Sequence, residues 1–340
     1  MASHSYENNF TENLRFDFRW KKPNVVRVWI YILSVIMNFY EDIKSERSRI
    51  ESCIKKFGHT SDHNLDWWAC SVITSDGVPV FIEFSDGSGL LAHKYPDKWR
   101  IWSDPLSEEK DMAVKIEEFV TEVLKDNKIR EIWCDDVADR IYPELKKNEA
   151  LKLNEPYYHL FWPVLDMAEY DPFLPGGHFK EIRNAKSKFY REHKVEVLKT
   201  SELSQEDLIK IVDAWQKEVT KKQKEDIYDL RYRLIIKNNF RGFTTARVLI
   251  VDGKPVGFNA GYEVPNRPGR FAGTIGLHDY SVKDLGTVLY LEDLDWIKNT
   301  GYKEVDLQGS EDERELKVKT QYGAVIERKT DTFSILNKFN

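Results

Sequence analysis

The residues of this chain best suited to moving a proton follow a short apolar run. Phe271–Leu277, with Gly273 and Gly276 set in it, reads as a strand, and His278, Asp279 and Tyr280 come directly after it. A base there could take the proton from an attacking amine. Asp279 equally suits a turn or a cap. Asp306 and Gln308 alternate with Val305 and Leu307 along an expected strand, Glu304–Gln308. One face of that strand is therefore polar, open to a substrate or to solvent. Cations come from His178–Arg191. On a helix, Phe179, Ile182, Lys186, Phe189 and Tyr190 share one side, while Lys180, Arg183, Lys188 and Arg191 spread round the others. Such a helix is either a solvated basic face or a cationic element beside a cleft. The second reading suits a polyanion such as tRNA or a phospholipid headgroup, held by Arg183, Lys186 and Lys180. Trp215, on an expected helix Gln205–Lys222, is core or a stacking platform. Asp135-Asp136 has no third ligand nearby, and Asp136 also suits a helix N-cap, so no metal site is expected. There is no nucleophile elbow, Walker loop or Rossmann fingerprint.

Positioning these groups requires strand, bend, helix, strand and helix in succession. The bend His278–Gly286 leads into a helix Thr287–Lys298, stopped by Gly301 in the left-handed position that favours glycine. After the strand at Glu304, Glu311–Gln321 is helical in composition and ends at Tyr322-Gly323. A parallel strand–helix–strand unit leaves a crevice at the carboxyl ends of its strands. Earlier in the chain the same signals occur once before. Trp67–Thr74 and Val78–Phe84 flank Asp76-Gly77, read as a hairpin. Trp99–Trp102 is a strand ended by Ser103-Asp104-Pro105. Ser107–Lys125 is a helix with Ser107 as N-cap, and Ile129–Cys134 is the next strand. In the second half Arg247–Val251 and Pro255–Tyr262 flank Asp252-Gly253. Asp76 to Asp252 spans 176 positions, and Asp104 to Asp279 and Ile129 to Glu304 each span 175. That common offset predicts a duplicated mixed α/β unit. The boundaries are an N-terminal extension 1–60, a first domain 61–170 and a second domain 171–340 opened by the basic helix.

With 340 residues, 41% of them hydrophobic, the chain has material for two domains. Its formal charge of −6 argues against a DNA-coating protein, whose footprint is basic. Cys53, Cys70 and Cys134 lie far apart without ligand spacing, which suits a reducing, cytoplasmic setting. Val25–Tyr40 is apolar, but its uncharged run is too short for a bilayer. It is expected to continue into Glu41–Lys56 as one long helix. No transmembrane segment is expected, and the oligomeric state is left open.

Three motifs, Trp102-Ser-Asp104-Pro105, Phe179-Lys-Glu-Ile-Arg183-Asn-Ala-Lys186 and Lys319-Thr-Gln-Tyr322-Gly323, occur in this order. Together they resemble the FemAB-like branch of the acetyltransferase (GNAT) superfamily, covering roughly residues 65 to 330. More closely, they resemble the C-terminal domain of phosphatidylglycerol lysyltransferases and its soluble relatives of unknown function. The resemblance implies a tandem GNAT-like acyltransferase fold with an N-terminal helical extension. It also implies transfer of an aminoacyl group from aminoacyl-tRNA to an amine or hydroxyl of a lipid, peptide or small molecule, with no bound cofactor. It places Lys319 and Tyr322 at the acyl centre, the lysine as counter-charge to an anionic tetrahedral intermediate. Relatives that use acetyl-CoA cradle its pyrophosphate on a loop with two glycines. The corresponding Lys283-Asp-Leu-Gly286-Thr-Val288 has only Gly286, which weakens a CoA donor. An acyl-CoA-dependent N-acyltransferase and a non-catalytic RNA- or acidic-ligand-binding protein are the alternatives.

Overall fold

The computed structural model describes residues 37–223 and 229–337. Their first half runs β1 (Met37–Tyr40), α1 (Arg47–Phe57), α2 (Leu65–Cys70), β2 (Val78–Phe84), β3 (Gly89–Lys94), β4 (Lys98–Trp102), α3 (Met112–Val123), β5 (Glu131–Ala138), α4 (Ile141–Leu145), β6 (Lys152–Leu153) and β7 (Tyr158–Asp166). The second runs α5 (Lys180–Glu192), β8 (Val195–Lys199), α6 (Gln205–Gln223), α7 (Leu230–Lys237), β9 (Thr245–Val251), β10 (Lys254–Glu263), β11 (Arg270–His278), α8 (Leu285–Thr300), β12 (Glu304–Asp306), α9 (Glu313–Thr320) and β13 (Val325–Leu336). All the strands join one mixed sheet in the order β1-β2-β3-β4-β5-β13-β7-β12-β11-β10-β9-β8, with β6 beside β13.

Each half builds the same succession of pairings. An antiparallel hairpin is followed by an antiparallel strand, then a helical crossover to a parallel neighbour. These are β2-β3-β4-α3-β5 and β9-β10-β11-α8-β12. The strand that follows in each half crosses over: β7 pairs with β12, and β13 pairs with β5. Three antiparallel steps (β5-β13, β13-β7 and β7-β12) separate the two parallel pairs. So β4 and β5 run opposite to β11 and β12, and their carboxyl ends lie at opposite ends of the sheet.

Local chemistry explains most elements. In the β9–β10 turn Asp252 and Gly253 have φ of 52° and 79°, the left-handed pair that matches strand twist. Helix α8 buries Leu285, Val288 and Leu289 in one apolar cluster and Leu291, Leu294 and Ile297 in another, and closes at Gly301 with φ 91°. Helix α5 lies against it, with Lys186 Nζ 2.9 Å from Asp295 and the Tyr190 hydroxyl donating to Glu292.

Several expectations are corrected. Trp67–Thr74 is not a strand: Asn64 accepts the Trp67 N–H at 3.0 Å and starts α2, burying Trp67 and Trp68. The hairpin accordingly turns at Asp86-Gly87, not Asp76-Gly77, with Glu83 opposite Gly89. Of the expected long helix, residues 25–36 lie outside the described residues. Met37–Tyr40 pairs with β2 as a strand, and the helix begins only at Arg47. Ser107 does not cap α3, because a 3₁₀ turn, Glu109–Asp111, precedes it. Asp136 lies within β5 at φ 55° rather than at a helix start. Among the described residues no helix is long and apolar enough to cross a membrane.

Candidate active site

The two parallel pairs differ in how far they are joined. β4 and β5 are paired along the whole of β4, from Lys98↔Glu131 to Trp102↔Asp135. β11 and β12 are paired only from Arg270↔Glu304 to Ala272↔Asp306. Beyond Ala272, β11 continues to His278 with β10 as its one neighbour among the described strands. The other branch turns away, and Leu307 donates to Pro163 O while Ser310 and Phe161 exchange hydrogen bonds at 3.0 Å. Gln308 makes that turn at φ 64°, held by its N–H on Asp306 Oδ1 at 2.9 Å. The expected strand Glu304–Gln308 therefore ends at Asp306, and Gln308 is not on its polar face. The result is a wedge that opens between β11 and residues 307–310. Gly276 is exposed along its edge, and a Cβ at Gly273 would meet nothing nearer than 3.6 Å.

Lys319, on α9, stands at the foot of the diverging branch. Its ammonium is buried and donates to Ser310 Oγ at 2.7 Å and Gln308 O at 3.1 Å, with Glu315 at 2.8 Å. Burying an ammonium is costly unless acceptors surround it. Here two acceptors come from the branch that opens the wedge, so the charge is fixed relative to it. Tyr322 is also buried. Its ring stacks on Phe179 at 5.5 Å and meets Tyr290 at 5.4 Å and Tyr170 at 6.4 Å. Burial pushes its phenol up to about 12, so it stays neutral and clamps the start of α5 to the end of α9.

The other expected residues divide. Asp279 Oδ1 accepts the Ser281 N–H at 2.8 Å, the geometry of a turn residue. The His278 ring meets Tyr280 at 4.3 Å and covers Gly286, where a Cβ would lie 2.8 Å from the imidazole. Gly286 thus makes room for His278 at the start of α8. On α5, Arg183 donates to Gly176 O at 2.8 Å and to Leu174 O, pinning the linker Asp171–Gly177. Lys186 is spent on Asp295, and Lys180 is exposed. Trp215 packs edge-on against Tyr232 at 5.3 Å on the main apolar cluster.

Sequence reasoning passed over Ser310, Glu315 and Tyr290. The last is the sharpest omission: its hydroxyl is buried beside Tyr322 without a hydrogen-bond partner among the described residues. A lone tyrosine at helical spacing carries no signal for this. Tyr290→Phe is expected to leave the melting temperature unchanged or slightly raised, because an unpaired buried hydroxyl costs about 1–3 kcal/mol. If that hydroxyl serves a bound acyl group, KM for the donor rises in the same variant. Steady-state kinetics and a thermal melt separate the two effects.

A second opening of about 790 Å³ lies at the carboxyl ends of β4 and β5. Of the expected site residues, Asp306 lines it. Asp104 lines it as well and is buried. Burial pushes that carboxyl up, but His59 at 3.2 Å, the Arg328 charge and the Ala138 N–H at 2.7 Å together hold it below the usual range. The Trp102-Ser-Asp-Pro motif marked this strand end. His59 and Arg328, distant in sequence, carried no motif.

No protein-family model matches the chain, and neither does any curated protein sequence. Solved structures do. One is the C-terminal domain (DUF2156) of an Agrobacterium fabrum protein described as a lysylphosphatidylglycerol synthetase. It is 14% identical with a TM-score of 0.59, over 87% of this chain and 92% of that one. Another is FemX, at 10% identity and 0.57, over 88% and 98%. A third is a tandem GNAT protein from the clavulanic acid biosynthesis pathway, at 10% and 0.53, over 88% and 98%. The chain therefore has a mixed α/β fold similar to that of these GNAT-like structures.

Proposed function

We propose that the chain is an aminoacyltransferase. It takes an aminoacyl group from aminoacyl-tRNA in the wedge between β11 and residues 307–310, and passes it to an amine or hydroxyl. The observation that carries this reading is the early end of β11–β12 pairing with a buried ammonium at its foot. An acyl ester attacked in the wedge develops negative charge on its carbonyl oxygen. Lys319 is a positive charge fixed in place by Gln308 O and Ser310 Oγ, and release of the exposed Glu315 carboxylate frees its third N–H for that oxygen. The fully paired β4–β5 unit offers no equivalent opening between its strands, so transfer is assigned to the second half.

An aminoacyl donor is favoured over acyl-CoA by the start of α8. The one glycine there is covered by the His278 imidazole, which occupies the space a pyrophosphate would need beside the first helical amides. The proposed acceptor is a small molecule, peptide or lipid, and the proposed setting is cytoplasmic. The test is loss of label from a mixture of radiolabelled aminoacyl-tRNAs, run beside an acyl-CoA panel with cell extract as acceptor source. Consumption of one aminoacyl-tRNA is the expected result. Consumption of an acyl-CoA alone would move the donor assignment, and silence from both would overturn the enzyme reading.

A further inference from the structure

We propose that Arg328 anchors a phosphate-binding subsite in the opening at the carboxyl ends of β4 and β5. Its guanidinium lies over Trp162, with Cζ 3.7 Å from the ring centroid. The indole is itself fixed by its Nε1–H on Thr330 Oγ1 at 2.8 Å. One edge of the fork is tied to buried Asp62, Nη2 to Oδ2 at 3.2 Å. The other nitrogen, Nη1, is buried and has no hydrogen-bond partner among the described residues. A planar donor held on one face and at one edge is preorganised for an oxyanion at the remaining edge. A β-bulge in β13 between Ile326 and Arg328 re-aims the strand at this point.

Its neighbours differ in how they are used. Arg270 is spent on Glu304 and Glu327, and Arg140 on Glu109. Arg267 and Lys329 line the same opening, and among the described residues neither has an ion-pair partner. Glu108, Asp139 and Asp306 line the opening too, so the match to an oxyanion is confined to the part of it that Arg328, Arg267 and Lys329 share. That chemistry belongs to a phosphate ester, either free or as an anionic lipid headgroup. Calling this ligand the acceptor rests on the transferase reading; its binding does not.

The experiment titrates the full chain with inorganic phosphate and with glycerol 3-phosphate by calorimetry. In parallel it sediments the chain with phosphatidylglycerol vesicles against phosphatidylcholine vesicles. The wild type is expected to bind saturably, and Arg328→Gln to bind about ten-fold more weakly or worse. Asp62→Asn, which keeps the hydrogen-bonding shape but returns the full guanidinium charge, is expected to bind about three-fold more tightly. Loss of small-phosphate binding in Arg328→Gln assigns a soluble ligand, and loss of vesicle binding assigns a headgroup. No saturable binding by the wild type, or binding by Arg328→Gln that matches wild type in both assays, would overturn the subsite. If Arg328→Gln does not fold, unchanged affinity in Asp62→Asn overturns it instead. Phosphate binding without any transfer would keep the subsite and remove the acceptor role. Transfer without phosphate binding would remove the subsite and leave the transferase reading standing.

Discussion

Lys319→Met is expected to lower the turnover number of acyl transfer about 100- to 1,000-fold, the scale for removing one preorganised oxyanion partner. The donor KM should change little, because the charge acts on the developing oxyanion and not on the bound ester. Methionine fills most of the lysine stem, so the packing around α9 is kept. Gln308 O and Ser310 Oγ lose their donor, and stability should fall by about 1–3 kcal/mol. The surface pair with Glu315 adds little to that, since its carboxylate is more than half exposed. Lys319→Arg restores the charge without its compact reach and should recover only part of the rate. Single-turnover rates with the donor identified by the labelling experiment check this. A Lys319→Met enzyme within three-fold of wild type would remove Lys319 from the acyl centre.

Gly261→Ala should have the largest effect on stability. Gly261 sits in β10 beside the bulge that shifts its register against β11, opposite Gly273. A Cβ there would lie 2.2 Å from the Ala272 carbonyl oxygen and 2.4 Å from the Phe271 ring. The first is backbone and the second is a fully buried aromatic, so neither moves cheaply. The strands must part or Phe271 must leave the core. A loss of about 3 kcal/mol or more follows, at the upper end of single substitutions. Because Ala272 is also the last residue joined to β12, the damage lands where the wedge begins. Thermal melts and solubility test this, and a melting temperature within about 2 °C of wild type would refute it.

The second half of the fold was the more legible in sequence, for physical reasons. Asp252-Gly253 and Gly301 stand where the backbone needs positive φ, and few residues supply it. Trp67–Thr74 misled because a short, largely buried apolar run has no clear period, and Asn64 decided the outcome in favour of a helix. The offset of 176 tied to Asp76 therefore compared positions that are not equivalent, although the order of elements does recur. Within the site, Lys319 could be picked out only through the resemblance, since nothing in Glu315–Lys319 marks one lysine as buried. The phosphate role expected for Arg183 and Lys186 faces a plain difficulty: both already serve the chain's own carbonyls and carboxylate. Arg328 and Trp162 were invisible for the opposite reason, being joined by tertiary packing across a long separation in sequence.

The placing of β13 between β5 and β7 has a consequence for how the chain is made. Until Val325–Leu336 has left the ribosome, β5 has no partner on one flank and β7 lacks its neighbour on that side. Both are then bare edges, open to pairing with another nascent copy. The first half can condense around α3 early, yet the sheet closes only when nearly all the described chain has been synthesised, a long-range step that is slow. Fusions, nonsense alleles or proteolysis that remove this one strand should send the product to chaperones and aggregates, however sound the rest of the sequence.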